Sequence, residues 1–147
     1  MRIVLLVLSL FGGTLLSAQA DSTKTVERMP VWAECATLQD SLQRTECSNE
    51  RMLRFIYSNI NYPARARENG IEGIAVVQFV IERDGSMSEM MILKNPGGGT
   101  GEEALRVISM LPDWSPGTME GEPVRVQMAI PVKFRLERKR RSRKNKN

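Results

Sequence analysis

The segment Val124-Arg125-Val126-Gln127-Met128-Ala129-Ile130-Pro131-Val132-Lys133-Phe134-Arg135-Leu136 decides how this chain folds. Val124, Val126, Met128, Ile130, Val132, Phe134 and Leu136 share one face, while Arg125, Gln127, Ala129, Pro131, Lys133 and Arg135 share the other. That period of two belongs to a strand half buried in a sheet. Pro131 narrows the strand's place. It has no N–H, so within a sheet it belongs on an edge strand or at a bulge. A long strand with a proline and a polar outer face reads as a rim, and a rim carries unpaired N–H and C=O groups that an incoming backbone can complete. The candidate peptide-binding edge is therefore residues 124 to 135, with Val124, Arg125, Val126, Gln127, Met128, Ala129, Ile130, Val132, Lys133 and Arg135 as its contact residues. A second copy of the chain, pairing last strand to last strand, is the rival occupant.

Upstream, Gly73 opens a run, Ile74 to Ile81, whose alternating sets are both largely apolar. This predicts a central strand covered on both faces. Arg83-Asp84-Gly85-Ser86 is a hairpin turn of the Asp-Gly kind, returning into a weaker strand from Met87 to Lys94. Asn95-Pro96-Gly97-Gly98-Gly99 reads as a flexible connector. Thr100 and Glu103 have capping-box spacing ahead of an amphipathic helix carrying Ala104, Leu105, Ile108 and Leu111, ended by Pro112. Trp114, in a compact turn, is expected to cover the core edge. Before all this, Met52, Leu53, Phe55, Ile56 and Ile60 recur at helical spacing over a helix expected from Cys47 through Asn59, and Ala64 to Asn69 predicts a helical turn stopped by Gly70.

The chain's 147 residues have room for one compact core. It contains no histidine, which excludes His-based acid/base work, Ser-His and Cys-His nucleophile pairs and most zinc catalytic sites. Glu82 and Asp84 at a hairpin and Glu102 and Glu103 at a helix start have local structural roles. Gly97 to Gly101 lacks the lysine of a phosphate-binding loop. We expect no enzyme, no catalytic residue, no cofactor and no metal.

The ends carry addresses. Met1-Arg2, the apolar run Ile3 to Phe11 and the small-x-small pattern Ala18-Gln19-Ala20 form a signal peptide over residues 1–20, cleaved before Asp21; an uncleaved membrane anchor is the alternative. Export to an oxidising periplasm makes Cys35 and Cys47, the two cysteines of the chain, a structural disulfide rather than a reactive or metal-binding pair. Residues 21–46 then form a leader holding the first of these cysteines, and 47–136 the domain. From Glu137 the chain sets seven cations against one carboxylate. Such a run cannot bury a core and is expected to be a disordered tail, with Arg138, Lys139, Arg140, Arg141, Arg143, Lys144 and Lys146 facing an anionic surface. Lipid headgroups or acidic cell-wall material fit that charge; nucleic acid fits the charge but not the compartment.

Tyr62-Pro63-x-x-Ala66, Gly70-Ile71-x-Gly73, Val76 to Ile81, Asp84-Gly85, Ala104-Leu105, Leu111-Pro112-x-Trp114-x-Pro116-Gly117, Gly121-x-Pro123-Val124 and Ile130-Pro131-Val132-x-Phe134 resemble, in this order, the C-terminal domain of the TonB family. Cys35 and Cys47 with Pro30-Val31-Trp32 resemble its cysteine-bearing version in Bacteroidetes-type bacteria. The resemblance implies an α+β two-layer sandwich, a three-stranded antiparallel sheet packed with two main helices. It also implies a binding module linked to TonB-dependent transport, whose partner is a short outer-membrane receptor segment, the TonB box, added beside the last strand. Trp114, Tyr62 and the turn glycines are expected to build the fold rather than touch the partner. A force-transmitting member of the family also needs an anchor with a histidine and a long proline-rich spacer. The stretch from Asp21 to Pro30 would reach about 35 Å fully extended, so force transmission is not expected here; a membrane-anchored energy transducer stays as the alternative to a periplasmic module.

Overall fold

The computed structural model describes residues 26–137. The expected signal peptide, the start of the leader and the basic tail from Arg138 lie outside the described residues. In chain order the elements are β1 (Val31–Trp32), α1 (Ser41–Asn59), α2 (Ala64–Glu68), β2 (Gly73–Ile81), β3 (Met87–Lys94), α3 (Thr100–Ser109), β4 (Trp114–Ser115), β5 (Gly117–Met119), β6 (Glu122–Val124) and β7 (Val126–Phe134).

β2, β3 and β7 form the antiparallel sheet in the order β3-β2-β7. Two helices, α1 and α3, supply the second layer, which is the α+β two-layer architecture that the family resemblance implied. Alternation decides what faces them. Ala75, Val77, Phe79 and Ile81 of β2 meet Ile130, Val132 and Phe134 of β7 in one core with Ile56 of α1 and Ala104, Val107 and Ile108 of α3. Fully burying a side chain such as Phe79 stabilises by about 1.5–3 kcal/mol.

The opposite face of the sheet corrects an expectation. β2 is covered on one face, not two: Ile74 is 40% exposed and Val76 and Gln78 are half-buried. A two-layer domain has no second set of helices, so that face stays largely open to solvent; Val80, 6% exposed beside the β2–β3 register shift, is its buried exception.

α1 begins at Ser41, six residues ahead of the expected Cys47. Asp40 explains the earlier start, because its carboxylate accepts the Gln43 N–H at 2.9 Å as an N-cap. The residues before it are built into the same core. Trp32 pairs with Trp114 across the β1–β4 ladder, and its ring stands 6.0 Å from Phe55 and 6.4 Å from Trp114. Trp114 stacks in turn at 6.2 Å on Phe79, so it lies inside the core rather than covering its edge.

Cys35 and Cys47 are joined, with their Cα atoms 5.9 Å apart, and Cys35 is wholly buried. The bridge ties the residues around β1 to the middle of α1. Closing so short a loop stabilises by about 3 kcal/mol in the chain-entropy model. The double change Cys35→Ala with Cys47→Ala should therefore lower the urea-unfolding free energy by about that amount. A loss below about 1 kcal/mol would show that the aromatic cluster holds β1 in place unaided.

The capping box at Thr100 does not form. Gly99, in the left-handed region at φ +90°, occupies the N-cap, and Thr100 is the first helical residue, buried and donating to the Gly97 carbonyl at 2.8 Å. The Asn95 amide oxygen does the capping instead, accepting from the Gly97 N–H at 2.9 Å and the Gly101 N–H at 3.1 Å. Asn95 to Gly99, expected to be a flexible connector, is thus a hydrogen-bonded cap. Glu103 turns away from the cap to the Asn61 N–H at 2.6 Å and to Arg106. Those partners, the Arg106 guanidinium first, hold its carboxyl below the usual range.

Candidate functional site

β7 pairs with β2 along one side, from Val126 opposite Ile81 to Phe134 opposite Gly73. Its other side is the rim of the sheet. The edge position read from Pro131 is where the strand lies.

Two observations fix which backbone groups face outward. Pro131 stands opposite Val76 and can give no N–H to it. Lys133, two residues on, donates its N–H away from the sheet to the Tyr57 hydroxyl at 3.2 Å. N–H and C=O groups alternate sides along an antiparallel strand. Gln127 and Ala129 therefore point both backbone groups outward, and Pro131 its carbonyl. Among the described residues nothing covers Gln127 or Ala129 on that side.

The same alternation sorts the sequence candidates. Val126, Met128, Ile130 and Val132 turn their backbone groups to β2 and their side chains to the core; they build the edge without offering it. Gln127, Ala129 and Lys133 form the rim itself. Val124 is a correction: it ends β6 and pairs with Gly117 of β5 in a separate hairpin. Arg125 lies between β6 and β7, and its guanidinium spans Glu82, at 2.8 and 3.0 Å, and Glu89, at 2.5 Å. Arg125 first and Ser88 second hold the Glu82 carboxyl below its ordinary range, and the two carboxylates raise the guanidinium further. That clasp spends the charge of Arg125 on fixing the start of β7 to the β2–β3 hairpin. Glu89 reaches it from a left-handed residue at φ +50°, within the stretch where the β2–β3 register shifts between Gln78 and Val80. Arg135 follows the strand's end.

Beside the C-terminal half of β7 lies a cleft of about 730 Å³, walled by Tyr57 of α1, Ile60 just past its end, Tyr62, Arg67 of α2, and Lys133 to Glu137. Tyr62 meets Phe134 edge-on at 5.6 Å, and its hydroxyl donates to the Ile71 carbonyl. Burial, with Glu72 adding to it, pushes that phenol up. Tyr57 is 49% exposed. Sequence reasoning missed this wall. Tyr57 stands one position off the apolar stripe of α1, and its spacing of three from Ile60 was the available signal.

Together the half-paired strand, the two helices on one face of its sheet and the cleft at its end define a class: small α+β domains with a backbone edge on display. The chain belongs to the TonB C-terminal family; residues 58–136 match the family described as Gram-negative bacterial TonB protein C-terminal. It is similar to Protein TonB of Vibrio cholerae serotype O1, 31% identical over 80 residues, a stretch that takes in 52% of this chain and 31% of that protein. The match thus spans under a third of that relative's length. Two solution structures of the Helicobacter pylori TonB C-terminal domain are also similar, at 26% and 27% identity with TM-scores of 0.48 and 0.47. Each covers 62% of this chain, which in turn covers 82% and 96% of those domains.

Proposed function

We propose that this domain is a periplasmic binding module that holds an extended segment of an outer-membrane receptor by strand addition along β7, in TonB-linked transport. Membership of the TonB C-terminal family supports the class of partner. The observation that carries the mode of binding is the sheet order β3-β2-β7, which leaves the outer side of β7 unpaired by any strand of the described residues. A guest backbone laid against Gln127 and Ala129 would gain a main-chain ladder, and the alternation of its side chains would place every second one over the open sheet face or toward the helices.

Titrating the disulfide-intact, isotope-labelled chain with a synthetic peptide from the periplasm-facing N-terminus of such a receptor tests this. The amides of Gln127 and Ala129 should shift most and gain protection from exchange. Unmoved resonances from Val126 to Phe134 at saturating peptide would refute the reading. A dimer by sedimentation that the peptide fails to dissociate would assign the rim to a second copy of the chain instead.

A further inference from the structure

The Tyr57 hydroxyl sits where the carbonyl of a guest strand would have to lie. It accepts the outward N–H of Lys133 at 3.2 Å, the one donor of that half of the rim, since Pro131 has none. Tyr57 comes from α1, is half exposed, and closes one side of the cleft formed with Ile60, Phe134 and Leu136. A phenol reaching a strand's free edge from a helix satisfies that edge with a group that can swing away, because no backbone must move to release it.

We infer that Tyr57 is a latch that sets how far along β7 a guest can pair, and thus selects guests by length and register. The inference rests on the strand-addition reading and deepens it. With the latch closed, the open ladder runs from Gln127 to the Pro131 carbonyl, and a short extended peptide binds there without disturbing α1. A longer guest that continues to Lys133 must replace the hydroxyl with its own carbonyl. Its next residue then lies against the cleft, whose floor of Ile60, Phe134 and Leu136 suits an apolar side chain. The latch exchanges one hydrogen bond for another, so its effect on affinity is the net worth of a single bond, a factor of about three to ten.

Tyr57→Phe keeps the ring on α1 and removes only the acceptor. In the free, disulfide-intact protein the Lys133 amide should exchange with solvent about three- to tenfold faster in the variant. Two synthetic receptor-derived peptides then separate the readings, one just long enough to span Gln127 to Pro131 and one extended at the end that meets Lys133. The variant should bind the longer peptide about three- to tenfold tighter and the shorter one unchanged. Equal effects on both peptides, or unchanged Lys133 exchange, would overturn the latch while leaving strand addition standing. Failure of wild type and variant alike to bind either peptide would instead overturn strand addition, and the selection of guests with it.

Discussion

Gly85→Ala should lower the unfolding free energy by about 4 kcal/mol, placing it among the severe single substitutions. Gly85 lies in the turn between β2 and β3 at φ +86°, where an L side chain is strained by about 1–2 kcal/mol. Its neighbour makes matters worse. A Cβ at this position would enter the Trp114 carbonyl oxygen, which belongs to the backbone of β4 and is not free to rotate away. Trp114 is paired with Trp32 and 4% exposed, so relief must come from moving the turn. Moving it sacrifices the bond from the Trp114 N–H to the Gly85 carbonyl at 3.0 Å, leaving a buried donor at a cost of about 1–3 kcal/mol. Gly121→Ala is the control. Its φ is +78°, but nothing stands within 4 Å of a Cβ there, so strain acts by itself at about 1 kcal/mol. Urea titrations of both variants decide the matter: with a slope of about 1–3 kcal/mol per molar, the Gly85 midpoint should fall by about 2 M. Equal midpoints for the two variants would mean that the turn and β4 separate without penalty.

What the sequence made legible, and what it hid, follows from how far each signal reaches. The periodicity of β7 and the missing N–H of Pro131 are local properties, and both were readable: the strand lies at the rim of a three-stranded sheet beside two helices. The Asp-Gly turn and the two cysteines were readable for the same reason. The cap of α3 was not, because Asn95 serves it from five residues upstream and displaces the capping box that Thr100 and Glu103 spell. Nor was the pairing of Val31-Trp32 with Trp114-Ser115, which brings together residues more than 80 apart by packing three aromatic rings. For the site, residue numbers along β7 could be named, but not which of them offer their backbone. That needs the register against β2, which turns Val126, Met128, Ile130 and Val132 inward and Gln127, Ala129 and Lys133 outward, while Val124, Arg125 and Arg135 fall outside the strand and Arg125 is spent on Glu82 and Glu89. The cleft wall at Tyr57 depended on where α1 crosses the end of β7, a contact between residues 76 apart that no pattern in either segment encodes.

Ala129→Pro should abolish peptide binding while leaving the domain folded, the largest functional effect expected of any single change on the rim. The argument is one of sides. Ala129 is exposed, lies opposite Gln78, and by the alternation set by Pro131 and Lys133 sends its N–H outward. Proline there removes a donor that no strand of the domain uses, and its fixed φ is compatible with an edge strand. Fold stability should therefore change by no more than about 1 kcal/mol. A guest strand meets a different surface: the central donor of its ladder is gone and a ring occupies the line along which its backbone must approach. Losing that bond and the close approach should cost at least about 2 kcal/mol, or some 30-fold in affinity. Ile130→Pro, one residue away, should do the reverse. Its N–H faces Val77 of β2 and its side chain is 3% exposed, so proline breaks the inner ladder at a cost of about 3 kcal/mol or more. Circular dichroism and peptide titration on the two variants separate three outcomes. A folded Ala129→Pro that binds like wild type removes β7 from the site, and an Ala129→Pro as unstable as Ile130→Pro reverses the assignment of sides. Binding lost in a folded domain leaves the outward backbone of β7 as what the guest holds.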